Sequence, residues 1–243
     1  MPYGDTAMEV EAVTESMADK VPKRLVITSV KGGCSKTTTT RNLAVAAAFD
    51  GLKVATLDLD PQQTLTAWHD RRPDNAVTIA NFSALLRDVD DIDDIRGFDI
   101  IIVDTPPLVT SGIRSDDTNS MDEADKAILR HLRKLVTMAD FVLVPSFQQE
   151  EDIVATESWL SALRLLGTKS ACLLSATNRR TKSFIEAKHR LIRAGRLCPM
   201  DIPRVEDIPT STKLGLGVIE LGGAKGGDDF KSVWAFLKSE IGL

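Results

Sequence analysis

Ser29-Val30-Lys31-Gly32-Gly33-Cys34-Ser35-Lys36-Thr37-Thr38 combines the residue types that bind phosphate. Glycines lack a Cβ, so successive backbone N–H groups can converge on a phosphate oxygen, and a helix starting just after them adds its own free N–H groups and dipole. Lys36 is spaced to reach a β- or γ-phosphate and the Thr37 hydroxyl to hold Mg²⁺. The usual G-x-x-x-x-G-K-[ST] pattern is only half met, because Val30 and Ser35 occupy its two glycine positions. What stands here is Lys-Gly-Gly-x-x-Lys-Thr, with a second lysine, Lys31, ahead of the glycine pair. If the residue before Lys36 must take a positive φ, serine there costs on the order of 1 kcal/mol and can loosen phosphate binding.

A strand and a helix must hold such a loop. The apolar run at 24–28 reads as a buried strand and the small, apolar stretch at 39–49 as a helix closed by Asp50-Gly51. A second strand at 53–57 runs into Asp58-Leu-Asp60-Pro-Gln62, which puts two acids at a strand's carboxyl end, where parallel sheets bind ligands. Taken alone, such acids are more often helix caps, but their spacing after the phosphate loop reverses that reading. Residues 76–80 read as a short third strand and 82–87 as a helical turn, and the apolar strand from Phe98 ends in Asp104-Thr-Pro-Pro. A carboxylate at Asp104 is placed to accept from a Mg²⁺-bound water. Helices at 124–138 and 152–166, strands at 141–145 and 171–177, and a last helix at 230–241 complete the alternation. The pattern predicts an α/β, doubly wound, mostly parallel sheet with helices on both faces.

At 243 residues and 43% hydrophobic, the chain suits one core, expected over 24–243 after an acidic, mobile tail at 1–23. The net charge is −5, but five acids fall within residues 1–20, so the remainder is near neutral and local patches matter more than the total. Three cysteines without C-x-x-C spacing argue against a disulfide framework or zinc site. With no signal-peptide pattern and no apolar run of membrane-spanning length, a cytoplasmic protein is expected. The acids Asp88, Asp90, Asp91, Asp93 and Asp94 lack the glycine and glutamate of a calcium loop and read as solvated. The polar stretch at 108–123 is long for a connection and suits an added partner-binding or dimer-edge element.

A second activity is suggested between residues 179 and 196, where seven basic residues stand against one acid, Glu186. On a helix, Lys182, Glu186, His189, Arg190 and Arg193 share one face and Phe184, Ile185, Leu191 and Ile192 the other. The bland reading is a solvated face with Glu186 pairing to Lys182 and Arg190. However, Arg179, Arg180 and Lys182 crowd the helix start, where the dipole disfavours cations, which suggests an external anion such as DNA phosphate. Arg179, Arg180, Lys182, Arg190, Arg193 and Arg196 are therefore the candidate DNA contacts, non-specific in sequence. The last helix has Phe230, Val233, Trp234, Leu237 and Ile241 at helical spacing with few flanking cations, which favours docking on the core over a membrane surface.

The phosphate loop, the Asp-Leu-Asp-Pro-Gln run, the Asp-Thr-Pro-Pro strand end and the Val-Leu-Val-Pro-Ser strand, in this order, resemble the deviant Walker A ATPases of the ParA/MinD family, most of all small plasmid-type ParA partition proteins. The resemblance implies a P-loop NTPase fold with ATP and Mg²⁺ as cofactors. It implies nucleotide contacts from Gly32, Gly33, Cys34, Ser35, Lys36, Thr37 and Thr38, and metal support from Thr37, Asp58 and Asp104. By the same resemblance Lys31 reaches the nucleotide of the other subunit of a homodimer and Asp60 positions the attacking water. Asn178 is the implied adenine contact, with a structural turn as the alternative, and Pro203 to Val205 suits the loop closing over that base. The implied cycle is an ATP-bound sandwich dimer on non-specific DNA, released by slow hydrolysis that a ParB-type centromere-binding partner stimulates. Alternatives are a switch positioning a protein or DNA-transfer complex and a MinD-like regulator at the membrane.

Overall fold

The computed structural model describes residues 20–84, 88, 92–107 and 123–243. The expectations for residues 1–19, 85–87, 89–91 and 108–122 lie outside them. Six strands form one parallel sheet: β1 (Lys23–Ile27), β2 (Val54–Asp58), β3 (Ala80–Ser83), β4 (Ile100–Asp104), β5 (Phe141–Ser146) and β6 (Ser170–Leu174), in the order β3-β2-β4-β1-β5-β6. The helices are α1 (Lys36–Phe49), α2 (Thr64–His69), α3 (Glu123–Met138), α4 (Glu150–Leu165), α5 (Lys182–Ala194), α6 (Asp207–Lys213) and α7 (Gly227–Ile241), with a 3₁₀ turn at Val218–Glu220.

The central strands carry apolar residues at successive positions because both of their faces are covered, and alternate residues feed two separate cores. Leu25, Ile27, Ile100, Ile102 and Leu143 point to the side of α1, α2 and α7, where they meet Leu43, Trp68, Phe230 and Trp234. Val26, Ile101, Val103, Val142 and Cys172 point to the side of α3, α4 and α5, where they meet Leu135, Leu160 and Leu191. The apolar stripe of α7 is consumed by the first core, as its spacing predicts, with Phe230, Val233, Trp234, Leu237 and Ile241 all buried.

Some sequence expectations need correction. The third strand covers Ala80–Ser83 rather than 76–80, and Phe82, expected in a helical turn, belongs to it. The cause is a contact across the fold: the Val77 N–H donates to Glu220 and its carbonyl accepts from Arg72, so that backbone is satisfied by side chains instead of by β2. On α5, Ile185 and Ile192 do not pack inward. The buried stripe is narrower, Phe184, Ala187 and Leu191, and both isoleucines are more than half exposed. Of the acids expected to be solvated, Asp93 pairs with Arg24.

Candidate nucleotide site

β1 delivers the phosphate loop to the carboxyl edge of the sheet. Two of its residues are left-handed, Gly33 at φ +79° and Ser35 at φ +64°. This tight path lets α1 begin at Lys36, three residues earlier than the composition suggests, and the Ser35 carbonyl accepts the Thr39 N–H at 2.8 Å. Lys36 is buried, yet its ammonium makes only long contacts, 3.4 Å to Ser29 Oγ and 3.5 Å to the Lys31 carbonyl. Burial lowers its pKa, against Asp104, Cys34 and Asp60, which raise it. A desolvated, under-bonded ammonium inside a glycine turn is what an anion would complete.

Facing the loop are two acids in register, Asp58 at the end of β2 and Asp104 at the end of β4, both fully buried. Asp104 accepts from Thr37 Oγ1 at 2.6 Å and from Thr40 Oγ1 at 3.4 Å. Burial pushes its carboxyl up to about 7, opposed by the Thr37 hydrogen bond and assisted by Asp58. Asp58 accepts from the Asp60 N–H at 3.1 Å and from both the N–H and hydroxyl of Thr66 at 2.9 and 3.0 Å. It thus anchors the loop after β2 and the first turn of α2. Asp60 is only partly buried, its carboxylate accepting the Gln62 N–H at 2.9 Å. A hydroxyl, two buried carboxylates and a buried lysine suit a hard divalent cation beside a phosphate, so the residues fit Mg²⁺ and a nucleotide. Thr37 and Asp104 are the pair that would hold the metal.

Lys31 lies at the rim, with its ammonium 3.7 Å from Asp152 and 3.9 Å from Glu151 at the start of α4. Cys34 is turned inward, 3.5 Å from Asp152, and burial together with that carboxylate pushes its thiol up to about 11. Its contribution to a phosphate would come from the backbone.

Beyond Ser35 opens a cavity of about 510 Å³, lined among others by Thr38, Arg41, Ser175, Pro203 and Val205. It begins at the phosphate loop and ends on the loop after β6, which suits a nucleoside continuing from the phosphates. Asn178 does not line it. That residue is exposed in a turn, its N–H donating to Gln148 and its Oδ1 accepting from the Arg180 N–H. In this structure Asn178 makes the contacts of a turn. Arg41, Ser175, Thr40 and Asp152 were not flagged from sequence; only Arg41, the one cation within the small, apolar stretch at 39–49, carried a visible signal.

The basic segment is less free than its composition suggests. Arg190 grips Glu150 at 2.6 Å and Glu157 at 2.5 Å on α4, not Glu186. Arg179 pairs with Asp201 and Asp229, and Arg196 with Glu240. The crowding of cations at the start of α5 is thus partly an internal matter. Arg180, Lys182 and Arg193 are exposed and make no ion pair among the described residues.

A six-stranded parallel sheet with a glycine loop, two lysines and two strand-end acids defines a P-loop nucleotide-binding protein. Residues 25–216 match the family described as the CobQ/CobB/MinD/ParA nucleotide binding domain, and the chain belongs to that family. It is 28% identical over 102 residues to the maintenance of carboxysome distribution protein A of Gloeobacter kilaueensis, a match covering 42% of this chain and about half (47%) of that relative's length. A plasmid partition protein from Borrelia burgdorferi bound to AMPPNP superposes with a TM-score of 0.67 at 15% identity, covering 90% of this chain and all of that one. The septum site-determining protein MinD of Pyrococcus horikoshii, complexed with Mg-ADP, gives a TM-score of 0.66 at 16% identity over 91% and 98% of the two chains. No helix among the described residues is long and apolar enough to cross a membrane.

Proposed function

We propose that this protein is an ATP-dependent positioning switch of the ParA type, which carries a cargo, plasmid DNA or a protein assembly, by cycling on and off non-specific DNA. The observation that carries the reading is the phosphate loop: a buried, under-bonded Lys36 behind a second lysine, Lys31, at the exposed rim, opposite the acids of β2 and β4. ATP with Mg²⁺ binds between these groups, Lys31 leaves Asp152 to reach the nucleotide of a second copy, and Asp60 orients water for a slow hydrolysis that resets the dimer. Similarity to a carboxysome distribution protein and a partition protein supports a positioning role without choosing the cargo. A ParB-type or functionally equivalent partner would stimulate hydrolysis. The membrane alternative is weakened because the apolar residues of α7 are already packed in the core.

DNA contact falls to the cations left free, Arg180, Lys182 and Arg193. The test is binding to a random-sequence duplex with ATP, ADP or no nucleotide across a salt series. Binding with ATP alone, falling steeply as salt rises and lost in Lys182→Glu/Arg193→Glu with ATPase activity retained, supports the reading. Equal or absent binding in all three states refutes the DNA-carrier part.

A further inference from the structure

Arg41 is the anomaly of the nucleotide site. It lies on α1, one turn after Thr38, among buried small and apolar residues, and is only 6% exposed. One guanidinium nitrogen donates to Thr38 Oγ1 at 2.8 Å, while the buried Nε has no hydrogen-bond partner. No carboxylate among the described residues pairs with it. Asp104 acts on it from a distance but has its oxygens on Thr37 and Thr40, and Arg71 repels it. Arg72, whose side chain is also largely buried, has Glu220 as a bidentate partner, so this chain does supply an acid where an arginine is structural. A desolvated cation without a counter-charge is costly unless a ligand supplies one.

The cavity gives that ligand its place. Arg41 and Thr38 both line it, and so does Ser175, whose Oγ is also buried and without a partner. A polyphosphate seated on Lys36 and continuing into this cavity passes Thr38 and then Arg41. We propose that Arg41 is a further nucleotide-binding residue, its guanidinium meeting an anionic oxygen at the α-phosphate end of the bound nucleotide. The inference rests on the nucleotide reading above. It makes this site hold its ligand by three cations, Lys36, Arg41 and, from a second copy, Lys31.

The experiment titrates wild type, Arg41→Gln and Arg41→Lys with ATP, ADP and inorganic tripolyphosphate in Mg²⁺, alongside melting of the nucleotide-free proteins. Arg41→Gln is expected to lose roughly 10- to 100-fold in affinity for all three, the scale of one or two charge-assisted hydrogen bonds, with Arg41→Lys between. Its nucleotide-free melting temperature should not fall, because the loss of one neutral hydrogen bond to Thr38 is offset by removal of an uncompensated buried charge. Unchanged ATP affinity in a wild type that binds ATP overturns the inference alone. Loss of ATP with tripolyphosphate unaffected also overturns it, by moving the contact to the ribose or base. A melting drop without an affinity change makes Arg41 structural. A wild type that binds no nucleotide overturns the nucleotide reading and this inference together.

Discussion

Ser35 offers a direct test of how the phosphate loop is held. Its backbone is left-handed, φ 64° and ψ 21°, at a position where the usual loop carries glycine, and its side chain makes no capping hydrogen bond. An L-residue there bears a Cβ-to-carbonyl clash of ~1–2 kcal/mol. Glycine removes the clash but adds ~0.5–1 kcal/mol of unfolded-chain entropy to be lost on folding. The net expectation for Ser35→Gly is a gain of about 0.5–1 kcal/mol, hence about 1–4 °C in melting temperature for a chain of this size. Ser35→Ala, which removes only an unbonded hydroxyl, should stay within about 0.5 kcal/mol of wild type. Ser35→Val, β-branched at positive φ, should lose about 1 kcal/mol or more.

The assay is thermal and urea unfolding of the nucleotide-free proteins, reading the order Gly, then Ser and Ala together, then Val. The order matters more than any one value, because all three substitutions share the same surroundings and differ in what the backbone permits. A Ser35→Gly protein less stable than wild type, or a Val variant melting with it, would refute the strain argument. The loop would then not hold residue 35 left-handed in solution.

Three further predictions follow from single contacts. Glu220→Gln leaves the buried Arg72 guanidinium without its counter-charge and should cost ~3–5 kcal/mol, seen as a fall of about 6–20 °C in melting temperature. Gly215→Ala puts a Cβ 2.2 Å from the Arg71 carbonyl oxygen at φ +71° and should yield little folded protein, whereas Gly51→Ala, at φ +83° in open space, should fold with a loss of about 1 kcal/mol; a soluble-yield and melting comparison separates them. On the proposed function, Lys31→Ala should retain ATP binding by the monomer but form no ATP dimer, and Asp60→Ala should hold the dimer, both read by light scattering in ATP; a monomeric Asp60→Ala protein would count against the role given to Asp60.

What could be read from the sequence was whatever depends on neighbours along the chain. Leu25, Val26 and Ile27 ahead of the loop, and Ile100 to Val103 ahead of Asp104, are apolar without interruption, which marks strands covered on both faces, and glycine beside lysine marks the phosphate loop between strand and helix. Contacts across the fold were invisible. The segment at 76–80 has strand composition, but Arg72 and Glu220 take the Val77 backbone, and β3 starts at its last residue. The cations around α5 read as free because their partners, Glu150, Glu157, Asp229 and Glu240, lie on α4 and α7, far along the chain. Short α6 lacks the length over which periodicity becomes legible. Ser175 and Asp152 belong to the site only through where β6 ends and α4 begins.

The loop's internal contacts are graded, and the grading bears on how a switch could work. Lys31 is held at 3.7 and 3.9 Å by two carboxylates, one of them largely exposed, a geometry worth well under about 1 kcal/mol. Lys36 makes two contacts at the limit of hydrogen bonding. Both lysines can therefore turn to a new anion at little cost. The acid side differs, since the 2.6 Å bond from Thr37 to buried Asp104 is short and worth ~1.5–3 kcal/mol if the carboxylate is charged. Only a group that interacts more strongly with both residues than they do with each other will open it. A ligand engaging the lysines alone would leave that side as it stands, so the change expected of a switch requires the phosphate and acid sides to be engaged together.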